Sequence, residues 1–252
     1  MTRKRQLPVK IWLDKQEQTI AFELPELPGQ VFKIVIPELI SDTQEPIVPW
    51  DHPSPGWNLG LNSASYSIEI PRKIHMKAQV LFLEQKIETR VTMTNLSQRM
   101  WDKVNAFTCF AFYSAPAFDD PQLTRTYVPV DKGWKSIAEL FADHDPGDGP
   151  YTFFPVAGGP RLDDLWLCRK IPQRHPQTVS KGCACVVSSD GRWIAGMAAR
   201  TPAYVFNNRR ERCVHANQLI QSVAPGETAE GISVVYIFSG TLDDFTKRCE
   251  SQ

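Results

Sequence analysis

Alternating apolar and polar positions between residues 86 and 113 predict two long β-strands. Ile87, Thr89, Val91 and Met93 fall on one face of the first strand, and the polar residues between them fall on the other, which is the period of a half-buried strand. Residues 95–98, Asn-Leu-Ser-Gln, supply a polar turn. From Val104 onward both faces are apolar or aromatic, so the second strand is predicted to be covered on both sides.

Similar strand-like runs occur along the rest of the chain, separated by turns that contain proline or glycine. Asp190-Gly191 lies between two apolar runs and predicts a β-hairpin, because this dipeptide accepts positive φ in a two-residue turn. The other runs cover residues 9–13, 19–24, 31–36, 65–70, 77–83, 182–188, 193–200 and 233–238. This pattern predicts an all-β fold, an antiparallel β-sandwich formed as one domain from residues 1–252.

Helical patterns are short, and two long segments follow no strand pattern. Residues 136–143 predict two helical turns, and Thr241 followed by Asp244 predicts the capped start of a C-terminal helix. Residues 40–64 and 114–174 are predicted to be long loops. Their many aromatic side chains favour loops that pack on the scaffold over disordered segments.

Composition excludes several classes of function. The 28 Lys and Arg residues balance the 28 Asp and Glu residues, so no net field favours nucleic acid or an acidic membrane. The basic start, Arg3-Lys4-Arg5, is not followed by the apolar stretch of a secretory signal. The six widely spaced cysteines are therefore predicted to be reduced thiols in a cytoplasmic protein. Association into a homo-oligomer stays open.

Two groups of residues have metal-binding character, although neither leads to a predicted cofactor. Loop 141–149 (FADHDPGDG) has three carboxylates that suit calcium, but its composition is also that of an ordinary turn. Cys183-X-Cys185 with Cys213-X-His215 could offer zinc three thiolates and an imidazole, if two adjacent strands present them. The favoured interpretation is that these cysteines are small buried hydrophobic residues.

Two histidines lie in aromatic-rich segments and are candidate acid–base groups. His144 is flanked by Asp143 and Asp145, and a carboxylate can orient an imidazole for proton transfer. His52 lies between Trp50 and Trp57; an indole stacks on the apolar face of a sugar ring, while polar groups bind its hydroxyls. The alternatives are a solvated loop histidine and tryptophans that only hold a loop in place.

Two short motifs resemble the galactose mutarotase-like supersandwich group. One is the turn 94–97 (TNLS) between two central strands, and the other is the turn 224–228 (APGET) that enters the last strand. The group contains aldose epimerases, sugar lyase domains and non-catalytic sugar-binding modules built around a carbohydrate groove. The resemblance therefore implies a supersandwich with a small carbohydrate as its ligand. Aldose 1-epimerases carry a histidine in the strand after the first turn, whereas residues 105–110 (NAFTCF) contain none, so their mechanism does not transfer.

These observations favour a carbohydrate-active enzyme that abstracts a proton next to a carbonyl or carboxylate, giving epimerisation, isomerisation or elimination. The candidate acids and bases are His52, Tyr127, His144 and His215. The candidate substrate-binding residues, with an arginine to hold a uronate carboxylate and tryptophans to stack, are Trp57, Arg125, Trp134, Asp145 and Arg200. The alternatives are a non-catalytic carbohydrate-binding or structural sandwich and a metal-assisted hydrolase. At least two of the four acid–base candidates in one cleft with an arginine would favour the enzyme, and separation of all four would favour the binding module.

Overall fold

A computed structural model describes residues 9–14, 19–50, 52, 56–145, 147 and 149–251. Within these residues the chain forms strands and a few short helices. The strands are β1 (Lys10–Leu13), β2 (Thr19–Glu23), β3 (Val31–Ser41), β4 (Pro46–Val48), β5 (Asn58–Gly60), β6 (Ser63–Ile70), β7 (Ile74–Phe82), β8 (Ile87–Asn95), β9 (Val104–Ala111), β10 (Thr126–Val130), β11 (Gly133–Ser136), β12 (Tyr151–Pro155), β13 (Cys183–Val187), β14 (Trp193–Ala199), β15 (Pro202–Asn208), β16 (Cys213–Ile220) and β17 (Thr228–Ser239). The helices are α1 (Ile137–Asp143), α2 (Trp166–Lys170) and α3 (Leu242–Glu250), with a 3₁₀ turn at Leu162–Asp164.

The strands form two sheets in which the described pairings between strands are antiparallel. Sheet A has the order β1-β2-β3-β9-β16-β15-β12, with β4 paired to β3. Sheet B has the order β11-β10-β13-β14-β17-β8-β7-β6-β5. The main core contains buried side chains from both sheets, among them Phe32, Phe110 and Met93. The predicted antiparallel β-sandwich is therefore confirmed.

The two strands predicted between residues 86 and 113 are confirmed, but they belong to different sheets. β8 alternates buried and half-buried residues in sheet B, as its sequence predicts. Every residue of β9 is buried, because one face of this strand meets the main core and the other lies on the outer face of sheet A. The segment after Asn95 thus carries the chain from one sheet to the other.

The two motifs that resemble the supersandwich group contact each other. The buried side chain of Asn95 donates hydrogen bonds to the carbonyls of Arg99 (2.8 Å) and Val223 (2.9 Å). Its backbone N–H donates to the carbonyl of Glu227 at 2.9 Å, and the Gly226 N–H donates to its carbonyl at 2.7 Å. Gly226 has a φ of 80°, a conformation that glycine adopts without strain. These bonds fix the start of β17 beside the end of β8.

The prediction of two long loops is wrong in part of their length. Segment 40–64 contains β4 and β5, and segment 114–174 contains β10, β11, β12 and the first two helices. Strands β15 and β16 were also not predicted. The predicted Asp-Gly hairpin joins β13 to β14, but its turn is longer than two residues, since Val187 pairs with Ile194 and Ser188 N–H donates to the Trp193 carbonyl.

The short helices begin where the sequence predicts. Thr241 caps α3, with its hydroxyl accepting from the Asp244 N–H and the Asp244 side chain accepting from the Thr241 N–H. Ser136 and Glu139 form the same reciprocal cap at α1. Helix α3 lies on the outer face of sheet B, where its fully buried Phe245 packs against residues of β13, β14 and β17. No helix among the described residues is long and apolar enough to cross a bilayer.

Candidate functional site

A cleft of about 390 Å³ opens on the outer face of sheet A, away from the main core. It lies over the central strands β3, β9 and β16, and we call it the sheet A cleft. Its walls include the aromatic rings of Trp50, Phe107, Tyr113, Tyr151 and Phe206. This volume is within the roughly 300–1,000 Å³ that is typical of small-molecule sites.

A bulge in β3 directs a carboxylate into this cleft. Val35 pairs with Cys109 and Leu39 pairs with Phe107, so residues 36–38 of β3 stand opposite Thr108 alone. Extra residues in one strand bend the ladder and re-aim side chains. Glu38 follows Pro37 in this bulge and lines the cleft with 24% of its side chain exposed.

Lys33 lies at the edge of the cleft in a compact set of polar contacts. Its ammonium group is 2.7 Å from the Asp14 carboxylate, donates to the Tyr113 hydroxyl at 2.8 Å and lies 4.2 Å from the centre of that ring. Burial alone would lower the pKa of Lys33, but the bonds to Asp14 and Tyr113 outweigh it and the pKa is raised. Lys33 is therefore charged and already paired.

Two cysteines and a histidine form the floor of the cleft. Cys213 and His215 are two residues apart on β16, so they point to the same face. The register that pairs Cys213 with Ala111 and Gln218 with Ala106 places Cys109 of β9 opposite His215. Cys213 Sγ is 3.2 Å from His215 Nε2, and His215 Nδ1 is 3.8 Å from a Glu38 carboxylate oxygen.

Burial keeps the floor of the cleft uncharged near neutral pH. It raises the pKa of Glu38 to about 8, with a further contribution from the Glu211 carboxylate. It lowers the pKa of His215 to about 3. The pKa of the Cys109 thiol is raised by its hydrogen bond with Cys213 and by burial, and burial also raises the pKa of Cys213. A charged form of each group would lose hydration here.

Nine site residues were predicted from the sequence. Of these, His215 lines the sheet A cleft and the other eight do not. Tyr127 and Trp134 are packed on the outer face of sheet B beside α3. The Trp134 indole N–H donates to the Thr246 hydroxyl at 3.0 Å, and burial raises the pKa of Tyr127. These two rings do not converge with His215, because they lie on the outer face of sheet B and His215 lies on the outer face of sheet A.

Arg125 is not an anchor in the cleft, since its guanidinium binds the protein's own backbone. It donates to the carbonyls of Asp119 and Val187, each at 2.6 Å, and to that of Ala117 at 3.2 Å. Arg200 is exposed and borders a separate pocket of about 210 Å³ near Lys181 and Cys249.

His52 and Trp57 pack near the ring of Tyr66. The Trp57 ring meets Tyr66 edge-on at 4.6 Å, and the buried His52 stacks on it at 6.3 Å. The Tyr66 hydroxyl donates to the Ile36 carbonyl at 2.7 Å. This arrangement supports the interpretation that this segment holds itself in place, although Trp50 of the same segment does reach the cleft. Asp51 and residues 53–55 lie outside the described residues.

His144 and Asp145 are exposed at the C-terminal end of α1, away from the lining of the cleft. The His144 ring meets that of His175 edge-on at 5.4 Å, and the Asp145 carboxylate accepts from the Gly147 N–H at 2.9 Å. Asp143 pairs with Lys135 at 3.2 Å. Asp148 of the predicted calcium loop lies outside the described residues.

The four-ligand zinc set that the sequence could have offered does not form, and the four side chains are buried, as the favoured interpretation of the cysteines expects. Cys183 and Cys185 belong to β13 of sheet B and pack in the cluster under α3, where Cys183 is hydrogen-bonded to Cys249. Cys213 and His215 belong to sheet A. The strand order therefore separates Cys183 and Cys185 from Cys213 and His215. It places Cys109 of β9 next to Cys213 and His215 instead.

Sequence reasoning missed most residues of the cleft, including Lys33, Glu38, Cys109 and Tyr113. One signal was present: Lys33 and Glu38 are charged residues inside the apolar run VFKIVIPELI. A charge at the centre of a strand that is otherwise apolar indicates a functional position or a partner. The bulge that aims Glu38 has no comparable signal beyond Pro37.

No family model and no curated protein matches this sequence. The structure is similar to a galactose mutarotase related enzyme from Lactobacillus acidophilus, with a TM-score of 0.49, 9% identity, and coverage of 96% of this chain and 98% of that one. It is similar to an aldose epimerase homologue from C. elegans, with a TM-score of 0.43, 7% identity and coverage of 93% and 99%. An α-N-acetylgalactosaminidase from Bifidobacterium bifidum in complex with GalNAc gives a TM-score of 0.47 and 9% identity, with coverage of 92% of this chain and 35% of that one. At these values the matches concern the fold and assign no function.

Proposed function

We propose that the protein binds a small neutral carbohydrate in the sheet A cleft. The observation that carries this proposal is the combination of aromatic walls, such as Tyr113 and Tyr151, with polar side chains such as Glu38 and Asn208 in one open cavity. Sugars need both, because their C–H faces stack on rings and their hydroxyls require hydrogen-bond partners. The Glu211 carboxylate at the cleft, and the pairing of Lys33 with Asp14, favour a neutral sugar over a uronate.

Saturation-transfer NMR and thermal shift with D-galactose, D-glucose, N-acetyl-D-galactosamine and D-galacturonate test this proposal. We expect at least one neutral sugar to bind and galacturonate to bind more weakly. Tyr151→Ala removes one wall of the cleft and should weaken binding, whereas Leu59→Ala, an exposed residue of β5 in sheet B, is the matched control. The proposal would be contradicted if the protein bound none of these four sugars, or if Tyr151→Ala bound them as tightly as the wild type.

A second candidate function is catalysis of epimerisation or isomerisation at the same site, with Glu38 transferring the proton. The position of Glu38 favours it, because the bulge in β3 turns this carboxyl group toward the space where a sugar would bind. Elimination from a uronate loses support, since Arg125 is not available as its anchor.

Exchange NMR of the bound sugars separates the enzyme from the binding protein. If Glu38 transfers a proton, Glu38→Gln should reduce the interconversion of anomers or epimers to its uncatalysed rate. It should keep sugar affinity within about threefold, because the amide preserves the shape of the side chain. Sugar binding without any interconversion by the wild type would remove the enzyme and leave the binding protein.

A further inference from the structure

We propose that Cys109, Cys213 and His215 form a zinc site whose open coordination position faces the sheet A cleft. The proposal concerns metal binding by the protein alone. It goes beyond carbohydrate binding and does not depend on which sugar, if any, enters the cleft.

The strand geometry brings these three residues together from distant parts of the sequence. Cys213 and His215 share one face of β16, and the register of β16 with β9 sets Cys109 directly across from His215. All three side chains are more than nine-tenths buried, and all three line the cleft. The sheet itself therefore fixes their positions before any metal binds.

The distances suit a tetrahedral metal with soft ligands. The Sγ atoms of Cys109 and Cys213 and a ring nitrogen of His215 lie within 4.8 Å of one another, and Cys213 Sγ is 3.2 Å from Nε2. Zinc bonds of about 2.0–2.3 Å place two tetrahedral ligand atoms roughly 3.5–3.8 Å apart. Small rotations of the side chains are enough to reach this geometry, and two thiols with an imidazole select zinc over magnesium or calcium.

Glu38 is placed as the outer partner that a metal-binding histidine requires. A ligating histidine usually donates its second ring N–H to a carboxylate, which fixes the tautomer and the ring orientation. Here Nε2 faces Cys213, and Nδ1 lies 3.8 Å from Glu38 Oε2. Nδ1 is buried, and the backbone of Thr108 also interacts with the His215 ring. Zinc on Nε2 would place the proton on Nδ1 and give it an acceptor in Glu38.

The site has three protein ligands, which is the pattern of catalytic zinc. No fourth His, Cys, Asp or Glu of the described residues joins the cluster. Structural zinc sites have four protein ligands, whereas catalytic sites keep one position for water or substrate. The cleft gives this fourth position access to a water, hydroxyl or carbonyl oxygen, which zinc would polarise.

A disulfide between Cys109 and Cys213 is not favoured by the register. Cys213 pairs with Ala111, so the two cysteines are diagonal neighbours on adjacent strands. Such Cα atoms are roughly 7–8 Å apart, beyond the usual span of about 4.4–6.8 Å for a disulfide.

Metal analysis of the untagged full chain tests the proposal. After incubation with zinc and gel filtration, we expect one zinc per chain in the wild type and in Cys185→Ser, which removes a buried strand cysteine of sheet B. We expect loss of stoichiometric zinc in Cys109→Ser, Cys213→Ser and His215→Gln. Glu38→Gln should lower zinc affinity by roughly 10–100-fold, measured by chelator competition.

Cobalt substitution of the wild type gives a second readout that needs no variant to fold. Tetrahedral cobalt with two thiolates should produce ligand-to-metal charge-transfer absorption, whose intensity reports the thiolate count, and intense d–d bands, which report tetrahedral geometry. A wild type that takes up no zinc or cobalt, octahedral cobalt without thiolate bands, or folded ligand variants that retain one zinc would each overturn the proposal. Zinc uptake by a protein that binds no sugar would contradict the proposed function and leave this site standing.

Discussion

The outer faces of the two sheets carry similar residues that serve different ends. Each has two strand cysteines among aromatic side chains: Cys109 and Cys213 on sheet A, Cys183 and Cys185 on sheet B. On sheet B, Phe245 of α3 packs over the cysteines. Its ring lies so close to Gly196 that a Cβ on this residue would be 2.6 Å from the ring carbon Cζ. On sheet A, the corresponding surface is left as a cleft. The helix makes the sheet B cysteines part of a packed cluster, whereas the sheet A cysteines line an open cleft, where we propose that they bind zinc.

The same contrast holds for two carboxyl groups. Burial raises the pKa of Glu38 to about 8 in the sheet A cleft. On the β13–β14 turn of sheet B, hydrogen bonds from Ser188 and Arg192 lower the pKa of the solvent-exposed Asp190 to about 2. One environment keeps the acid neutral and the other keeps it ionised.

The largest expected effect comes from uncovering sheet B. Phe245→Ala should lower the free energy of unfolding by about 3–5 kcal/mol, because it empties a fully buried site. Urea unfolding measures this change. The folded variant should keep the zinc and sugar affinities of the sheet A cleft, and Lys247→Ala on the exposed side of α3 is the control. If the folded Phe245→Ala variant also lost its zinc and sugar affinities, the two outer faces would not be independent, and the comparison between them would fail.

A smaller effect is expected from loosening the start of the same helix. Thr241→Ala removes the hydroxyl that accepts from the Asp244 N–H, and the loss of such a cap costs about 0.5–2 kcal/mol. Thr241→Ser keeps the hydroxyl and should restore most of the stability in urea unfolding. A serine variant as unstable as the alanine variant would show that the threonine methyl group, and not the cap, holds α3.

A change on the opposite face, Trp50→Ala, should affect the sheet A cleft and leave the stability of the fold largely unchanged. Trp50 has 47% of its surface exposed, so Trp50→Ala should change stability little. An aromatic contact contributes about 0.5–1.5 kcal/mol, which predicts roughly a 2- to 12-fold loss of sugar affinity in an NMR titration. Met100→Ala, 53% exposed and outside the cleft, should bind normally.

The smallest expected effect is the contribution of Asp190 to stability, which should depend on pH. Because the pKa of Asp190 falls from 3.8 to about 2 on folding, its stabilisation is fully present above pH 3.8 and is lost as the pH falls toward 2. Asp190→Asn should therefore reduce stability at neutral pH and differ little from the wild type near pH 2. Urea midpoints across this range check the sign, with exposed Asp131→Asn as control. A stability difference between the wild type and Asp190→Asn that grows as the pH falls would contradict this prediction.

The sequence predicted the parts of the fold that local pattern controls. The alternation in β8, the cap at Thr241 and the two turns around Asn95 and Gly226 depend on neighbouring residues, and each is found where predicted. β16 was missed because His215 and other polar residues interrupt its pattern (CVHANQLI). Their burial is explained only by the strands beside them.

The cleft could not be predicted in the same way, because it depends on pairing between distant strands. Cys109 and His215 are more than a hundred positions apart, and only the order β3-β9-β16 brings them together. Residues 105–110 contain no histidine. That the adjacent strand supplies one at the opposite position could be seen only in three dimensions.

The bulge in β3 ties the carboxyl group of Glu38 to the length of its strand. Residues 36–38 face Thr108 alone, so deleting two of them would restore an even ladder and remove the bulge that turns Glu38 toward the cleft. Deleting one would invert every later side chain of β3 and turn Ile40 out of the core. The carboxyl group of Glu38 thus reaches the cleft only while β3 keeps its two extra residues.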